Sequence, residues 1–184
     1  MKRVLDIAIS LLALALLGPL FVVVSVAIVM DSGLPIFFRQ TRVGERGREF
    51  GMLKFRSMSR NAAAVGPYFT GANDERITRA GRFIRRTSID ELPQFVNVLC
   101  GEMSLVGPRP DVPLQQSLYR PEDWRQRCTV KPGITGLAQV RGRSEMSFEQ
   151  RLSLDLQYAQ TVSVWQDVRI MWWTLNQLGG RNAN

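Results

Sequence analysis

Asp90 and Glu91 stand side by side in the stretch RRTSIDELPQF, residues 85–95, directly before an apolar run that predicts a helix. Such a pair often stabilises a helix start. In one arrangement Asp90 is the N-cap residue and Pro93 lies in the first turn. In the other, Ser88 caps the helix and Glu91 closes a capping box. Adjacent carboxylates also suit Mg²⁺, which takes one or two carboxylates together with substrate phosphates. The interpretations are compatible, because a helix N-terminus would keep Asp90 ionised and able to attack.

The chain contains no histidine and only two cysteines, Cys100 and Cys128. The missing histidine excludes a Ser-His-Asp triad, a Cys-His pair and every histidine metal site. Two isolated cysteines provide neither a disulfide framework nor a zinc motif, which favours a reducing compartment. Chemistry in this protein must therefore depend on carboxylates, lysine, arginine, tyrosine or a hard metal ion.

The charge balance is basic, with 24 Lys and Arg against 16 Asp and Glu and a net charge of +8. Such a balance indicates a partner with phosphates: nucleic acid, anionic lipid or a phosphorylated substrate. Nucleic acid is disfavoured because the aromatic residues are not interleaved with the basic ones. A phosphorylated substrate is favoured because arginine forks match phosphate oxygens. The candidate cations are Lys54, Arg56, Arg85, Arg86 and Arg109.

These residues need an element that brings them to their substrate, and the first candidate is the apolar run from Ile7 to Met30. As a helix of about 36 Å it could cross a hydrocarbon core of about 30 Å. It is long for the apolar part of a cleaved signal peptide. Gly18-Pro19 at its middle predicts a kink, which leaves a kinked spanning helix and a re-entrant hairpin as alternatives. Basic residues flank both ends and favour one side of the membrane; they are Lys2, Arg3, Arg39, Arg42, Arg46 and Arg48.

The remaining sequence predicts an α+β fold that is mainly helical, with one small β-hairpin. Strand 36–39 is expected to pair with a strand within 48–58, and residues 59–75 to form a surface loop. Helices are predicted near 76–87, 91–99, 121–127, 147–160 and 163–178, the fourth of them with a capping box from Ser147 to Gln150. KPGITGLAQVRGR predicts an irregular strand or loop. Trp165, Trp172 and Trp173 suit either a helix in the membrane interface or a helix packed on the core.

Three motifs follow the membrane segment in order: KFRSM, RRTSIDELPQFVNVLCGEMSLVGPRP and KPGITGLAQVRGR. Together they resemble the bacterial sugar transferases, and more specifically the monotopic phosphoglycosyl transferases that start glycan assembly on polyprenol phosphate. The resemblance covers essentially the whole chain. It implies a minimal catalytic form, without the additional N-terminal membrane domain of larger members.

The resemblance implies an enzyme that moves a phospho-sugar from a nucleoside diphosphate sugar, usually a UDP-sugar, to polyprenol (undecaprenyl) phosphate. Asp90 would attack the β-phosphate, release UMP and hold the phospho-sugar covalently before the acceptor takes it in a ping-pong reaction. Glu91, with Asp90, would help to bind Mg²⁺. Substrate phosphates or the nucleotide would be bound by Lys54, Arg85 and Arg109, with Pro108 shaping the loop of Arg109.

The resemblance further implies that residues 1–33 form a re-entrant anchor broken at Gly18-Pro19. Residues 34–184 would form a catalytic domain with interfacial amphipathic helices, on the cytoplasmic face of the bacterial inner membrane and in contact with membrane lipid. Sugar-pocket candidates are Gln139, Arg141 and Arg143. Roles for Asp155 and Tyr158, the sugar transferred and the pathway stay open, and a homo-oligomer is possible. The alternative is a basic membrane-anchored binding module in which Asp90-Glu91 only caps a helix.

Overall fold

The protein is mainly helical, as the sequence predicts. The computed structural model describes residues 1–60, 62, 74–142 and 146–180. Its α-helices are α1 (Lys2–Ser32), α2 (Arg79–Arg86), α3 (Gln94–Cys100), α4 (Pro121–Arg127), α5 (Leu137–Arg141), α6 (Phe148–Gln160) and α7 (Val164–Gly180). Its strands are β1 (Phe37–Val43), β2 (Glu49–Phe55), β3 (Ser104–Val106) and β4 (Gly133–Thr135). Short 3₁₀ turns cover Glu45–Gly47, Ile89–Glu91 and Pro113–Leu118.

Helix α1 is the one described helix that is long and apolar enough to cross a membrane. Helical conformation continues through Gly18 and Pro19, and the re-entrant path stays a prediction. Only 11% of its most apolar window is buried inside the protein. Its two ends are the parts that contact the other elements: Ser10 is buried near the start, and Val24 and Ile28 are buried near the end. Much of the middle of α1 is exposed, including Leu11, Leu12 and Leu16.

Strands β1 and β2 form the predicted hairpin, in antiparallel register from Phe37 opposite Phe55 to Val43 opposite Glu49. Each strand has seven residues, so β1 is longer than the four residues predicted for it. Phe55 is buried against the end of α1, where its ring lies 4.9 Å from that of Phe21. The hairpin thereby packs against α1 through Phe55, and Lys54, the preceding residue of β2, lies on the opposite face of the strand.

The main core lies where β3 and β4 pair in parallel beneath α3, α6 and α7. Its buried members are Met52, Val98, Met103, Leu105, Val106, Leu137, Tyr158 and Ile170. Glycines allow the two strands to approach closely, because a Cβ on Gly133 would lie 2.1 Å from the Gly107 nitrogen. The glycine-rich motif, predicted as an irregular strand or loop, thus forms a short strand followed by helix α5. Local pattern did not reveal α5 because its five residues are too few to show helical periodicity.

The last two helices agree closely with the sequence prediction. Helix α6 begins with the predicted capping box, in which the Ser147 hydroxyl accepts from the Gln150 amide and the Gln150 side chain accepts from Ser147. Helix α7 turns Asp167 and Ile170 inward. Its opposite face exposes an apolar stripe with the periodicity of one helix side: Trp165, Val168, Trp172 and Leu175.

Candidate active site

Asp90 and Glu91 lie in the 3₁₀ turn Ile89–Glu91, ahead of helix α3. Both predicted capping arrangements are wrong. Ser88 adopts a left-handed conformation, with φ of 57°, and makes no side-chain cap bond, and the N-cap position of α3 is occupied by Pro93. Because α3 begins only at Gln94, the two carboxylates precede the helix and face other partners. The alternative in which the pair only caps a helix loses its physical basis.

Glu91 joins two elements that are distant in sequence. Its Oε1 accepts a hydrogen bond from Lys54 Nζ at 2.8 Å and another from Arg109 Nη2 at 2.7 Å. Lys54 comes from β2, and Arg109 comes from the loop that follows β3. Burial opposes ionisation of Glu91, but the positive charges of Arg109 and Lys54 outweigh it and hold the pKa at about 2. Glu91 is therefore ionised at any physiological pH, with both cations on a single oxygen.

Asp90 has the opposite electrostatic setting. It is half-buried, and burial raises the pKa of its carboxyl, with a further contribution from the negative charge of Glu91. Lys54 and Arg85 oppose the rise through their positive charges. Among the described residues, no other side chain donates a hydrogen bond to the Asp90 carboxylate. Neighbouring carboxyls with pKa values shifted apart are typical of an active site in which each has its own role.

Arg85 is positioned by helix α2, which packs against the residues after β2. The side chain of Thr78 caps the helix by accepting from the Gly81 amide at 3.0 Å. A Cβ on Gly81 would lie 2.0 Å from the Ser57 carbonyl oxygen, so only glycine permits this approach. Arg85 lies in the last turn of α2, where its charge acts on Asp90. The predicted cations Lys54, Arg85 and Arg109 thus come together around the carboxylate pair.

The loop of Arg109 is held by its backbone. Gly107 donates its amide to the Thr135 carbonyl at 2.9 Å, and Gly133 donates to the Pro108 carbonyl at 3.0 Å. Pro108 is buried, as expected for a residue that shapes this loop. The Arg109 side chain remains 45% exposed while it contacts Glu91. A guanidinium that is fixed at one side and open at the other is suited to bind an incoming anion.

The sugar-pocket candidates stay a prediction. Gln139 donates through Nε2 to the Ile134 carbonyl at 3.0 Å, and Arg141 lies over the ring of Trp173 at 5.7 Å. Within the described ranges, no hydrogen bond or ion pair joins either residue to Asp90 or Glu91. Arg143 lies outside the described residues.

Asp155 and Tyr158, whose roles the sequence leaves open, serve structural contacts. Asp155 Oδ2 accepts from the buried Arg127 at 2.9 Å. The Tyr158 hydroxyl lies 2.7 Å from Asp167 Oδ1 and 2.9 Å from the Val106 carbonyl oxygen, and its single hydrogen is shared between these two acceptors. Sequence reasoning missed Arg127 as a partner of the Arg109 loop, since 18 residues separate the two and neither lies in a shared periodic pattern.

Mg²⁺ can be tested against the donor atoms present. The described part of the chain holds no group of three or more His, Cys, Asp or Glu side chains that could bind a metal ion by itself. Mg²⁺ needs fewer protein ligands than that, because substrate phosphates and water complete its shell. The Asp90 carboxylate and Glu91 Oε2, the oxygen that accepts neither cation, fit this donor set.

Comparison with known proteins gives one family. The sequence model described as "Bacterial sugar transferase" matches residues 1–181. A UDP-glucose:undecaprenyl-phosphate glucose-1-phosphate transferase of Caulobacter vibrioides is 43% identical over 96% of this chain and 69% of that protein. A protein of the same name from Escherichia coli K12 is 43% identical over 95% of this chain and 39% of its own length.

A third relative carries a different sugar in its name. The UDP-N-acetylgalactosamine-undecaprenyl-phosphate N-acetylgalactosaminephosphotransferase of Aeromonas hydrophila is 40% identical over 96% of this chain and 43% of that protein. The chain thus spans 69% of the Caulobacter protein and about two fifths of the other two relatives. All three relatives have undecaprenyl phosphate in their names, whereas the sugar differs.

Proposed function

The chain belongs to the bacterial sugar transferase family, and on this premise we propose that it transfers a phospho-sugar from a UDP-sugar to undecaprenyl phosphate. The products are UMP and an undecaprenyl diphosphate sugar. The observation that carries the proposal is the Asp90 carboxylate, which accepts no side-chain hydrogen bond from the described residues, beside Glu91, whose Oε1 is shared by Lys54 and Arg109. A free carboxylate among phosphate-binding cations is the arrangement that a covalent phosphoryl transfer requires.

In the first half-reaction Asp90 is the nucleophile. One carboxylate oxygen forms a bond to the β-phosphorus of the UDP-sugar, and the bond from that phosphorus to the bridging oxygen breaks. UMP leaves with the electron pair, and the phospho-sugar stays on Asp90 as an acyl phosphate. Arg85 and Lys54, whose charges act on Asp90, stabilise the negative charge on the phosphoryl oxygens.

In the second half-reaction a phosphate oxygen of undecaprenyl phosphate attacks the same phosphorus. The acyl phosphate bond breaks, and the electron pair returns to Asp90, which regenerates the free carboxylate. Partial burial of Asp90 limits access of water to the acyl phosphate. The two half-reactions use one nucleophile in turn, which gives ping-pong kinetics.

Glu91 organises the site without reacting. Lys54 and Arg109 fix one of its oxygens and leave the other for a metal ion. When bound there with Asp90, Mg²⁺ would neutralise the diphosphate and the departing UMP. Arg109, with its exposed guanidinium, is the group that would bind the diphosphate or the nucleotide.

The membrane arrangement proposed for α1 is re-entrant. Near its start, Arg3 donates to the carbonyl of Leu99 at 2.8 Å. Near its end, Ser32 accepts from Arg56 at 2.8 Å. Both ends of an apolar helix are thus bonded to the domain that carries Asp90, which supports entry and return on one face. Positive residues at both flanks support the cytoplasmic face of the bacterial inner membrane.

The exposed stripe of α7 supports an interfacial position for this helix. Trp165 and Trp172 are 78% and 62% exposed, and an arginine, Arg169, lies between them in sequence. Tryptophan rings and cationic side chains both favour the boundary between lipid and water. The proposal therefore places α7 beside the point where a polyprenol phosphate headgroup would leave the bilayer.

Intact mass spectrometry tests the covalent step. Detergent-solubilised protein is incubated with Mg²⁺ and UDP-glucose or UDP-N-acetylgalactosamine, without undecaprenyl phosphate. The expected result is a phospho-sugar adduct, absent in Asp90→Asn and retained in Glu122→Gln, a change at an exposed acid of α4. An unmodified mass in folded protein across a panel of UDP-sugars, with no UMP release on adding acceptor, contradicts the proposal.

Cysteine labelling tests the membrane path. In a background with Cys100→Ser and Cys128→Ser, one cysteine is appended before Met1, and another replaces the exposed Arg48 in a separate variant. Both are expected to resist an impermeant maleimide in intact cells and to react after permeabilisation. Labelling of one position from outside would show that α1 spans the membrane.

A further inference from the structure

Arg127 is a buried arginine at the end of α4, with 4% of its side chain exposed. Its guanidinium makes three polar contacts: with Asp155 Oδ2 at 2.9 Å, with Asp111 Oδ2 at 3.2 Å, and with the backbone carbonyl of Arg109. The first two contacts compensate its charge. The third reaches the backbone of a residue whose own side chain contacts Glu91.

The two carboxylates keep Arg127 charged and oriented. Burial disfavours its charge, but Asp155 and Asp111 outweigh that effect and raise the pKa of the guanidinium. Asp111 is itself fixed, because Tyr119 donates its hydroxyl to it and Arg151 lies 3.4 Å away. A planar fork held by two buried anions has little freedom to move.

Three successive carbonyls in the Arg109 loop have donors. Gly133 donates its amide to Pro108, Arg127 donates to Arg109, and Arg42 donates to Pro110 at 2.9 Å. The donor to Arg109 itself is thus a buried side chain in a charged network. Among the residues that the structure describes, Glu91 Oε1 is the one hydrogen-bond partner of the Arg109 guanidinium, so the position of the guanidinium depends on where the Arg109 backbone is held.

From this geometry we propose that Arg127 is a positioning residue of the transfer reaction. It holds the Arg109 carbonyl so that the Arg109 guanidinium lies against Glu91 and faces the substrate. The inference rests on the proposed role of the Asp90–Glu91 pair. Lysine cannot replace Arg127, because one ammonium cannot serve two carboxylates and a carbonyl from the directions of a planar fork.

A double-mutant cycle on UMP release tests the inference. Arg127→Lys is expected to lower kcat/KM about tenfold in the wild-type background and less than about twofold in an Arg109→Ala background, because its effect passes through Arg109. Arg125→Lys, an exposed change in the same helix, is expected to leave kcat/KM unchanged. Equal losses in both backgrounds, or full activity in Arg127→Lys, would overturn the positioning role.

Hydrogen exchange provides a readout that does not depend on activity. Peptides covering residues 103–112 are expected to exchange several-fold faster in Arg127→Lys than in the wild type, with no change in Arg125→Lys. Unchanged exchange in Arg127→Lys would refute the inference even if the protein proved to have another function. Absence of UMP release in wild-type protein would instead count against the proposed function, and exchange would then decide the positioning role alone.

Asp155→Asn is the second variant if Arg127→Lys does not fold. It keeps the arginine but weakens the contact that orients Nε. The expected loss in kcat/KM is about threefold in the wild-type background, and little or no further loss is expected in the Arg109→Ala background. A loss of equal size in both backgrounds would show that the network only stabilises the fold.

Discussion

The Asp90–Glu91 site and the Arg127 network combine the same side-chain types but use them differently. In the network of Asp111, Arg127 and Asp155, every side chain has an opposite charge beside it and at most 4% is exposed. At the site, Arg109 is 45% exposed and Glu91 is 21% exposed. A closed cluster has satisfied its own charges, whereas an open one retains binding capacity for a ligand.

The difference also appears in the carboxyls. Burial raises the pKa of both Asp155 and Asp90, but Asp155 accepts a hydrogen bond from Arg127 at 2.9 Å, whereas Lys54 and Arg85 act on Asp90 through their charge alone. A charge held in an unfavourable setting destabilises the fold unless a ligand compensates it. In the proposed mechanism, the site thus has lower stability in exchange for reactivity, and the Arg127 network stabilises the loop of Arg109.

Asp90→Asn is expected to have the largest effect on activity and an opposite effect on stability. Loss of the nucleophile should lower UMP release at least about a thousandfold. Removal of a disfavoured buried charge should raise the unfolding midpoint, measured by thermal unfolding in detergent. Retained turnover would contradict the assignment of Asp90 as the nucleophile, and a clearly lowered midpoint would contradict the unfavourable setting of its charge.

Arg127→Met tests the other half of the comparison. Removing the cation leaves the buried Asp155 carboxylate without its ion-pair partner, while Asp111 keeps its contacts with Tyr119 and Arg151. Breaking such a buried pair typically costs about 3–5 kcal/mol of unfolding free energy. Arg151→Met is the control, because this partner is 29% exposed and its contribution should be at most about 1 kcal/mol. Denaturant unfolding measures the free energy of unfolding of both variants. Similar losses in the two would show that the buried Arg127 contributes no more to stability than the partly exposed Arg151.

Glu91→Gln is expected to reduce turnover about a hundredfold while the Asp90 adduct can still form slowly. Glutamine keeps an oxygen that accepts from Lys54 and Arg109, but it removes the negative charge that these two cations share and weakens the position as a metal ligand. Single-turnover adduct formation and steady-state UMP release distinguish the two steps. Wild-type activity in this variant would exclude an electrostatic role for Glu91.

The pH dependence should separate the two neighbouring carboxyls. Asp90 has a raised pKa, so adduct formation should fall as pH drops through that value, while Glu91 is still ionised. Glu91 stabilises the fold fully above its ordinary pKa of 4.5, and this contribution is lost as pH falls towards about 2. The negative charge of Glu91 contributes to the raised pKa of Asp90, so in Glu91→Gln the decrease of adduct formation on the acid side of the pH profile should begin at lower pH. An unchanged acid side of the profile would show that Glu91 does not act on Asp90.

Several features of the fold could be predicted from local sequence. The hairpin, the capping box at Ser147 and the membrane-length helix α1 each depend on residues close in the chain, where periodicity and turn chemistry decide. The start of α3 was predicted wrongly, because Asp90 and Ser88 are good caps in isolation. In the folded protein the contacts of Glu91 with Lys54 and Arg109 draw the pair away from the helix end.

The sequence by itself determined the available chemistry. Because histidine is absent, the carboxylates remain as candidates for catalysis, and the excess of cations indicates a partner that carries phosphates. Only the tertiary structure decided which charges meet. Lys54 and Arg109 lie 37 and 18 residues from Glu91 and share one of its oxygens. Packing of the hairpin, α2 and β3 sets those distances, and no local pattern encodes them. The opposite pKa shifts of Asp90 and Glu91 follow from that packing, since burial and neighbouring charge act through space.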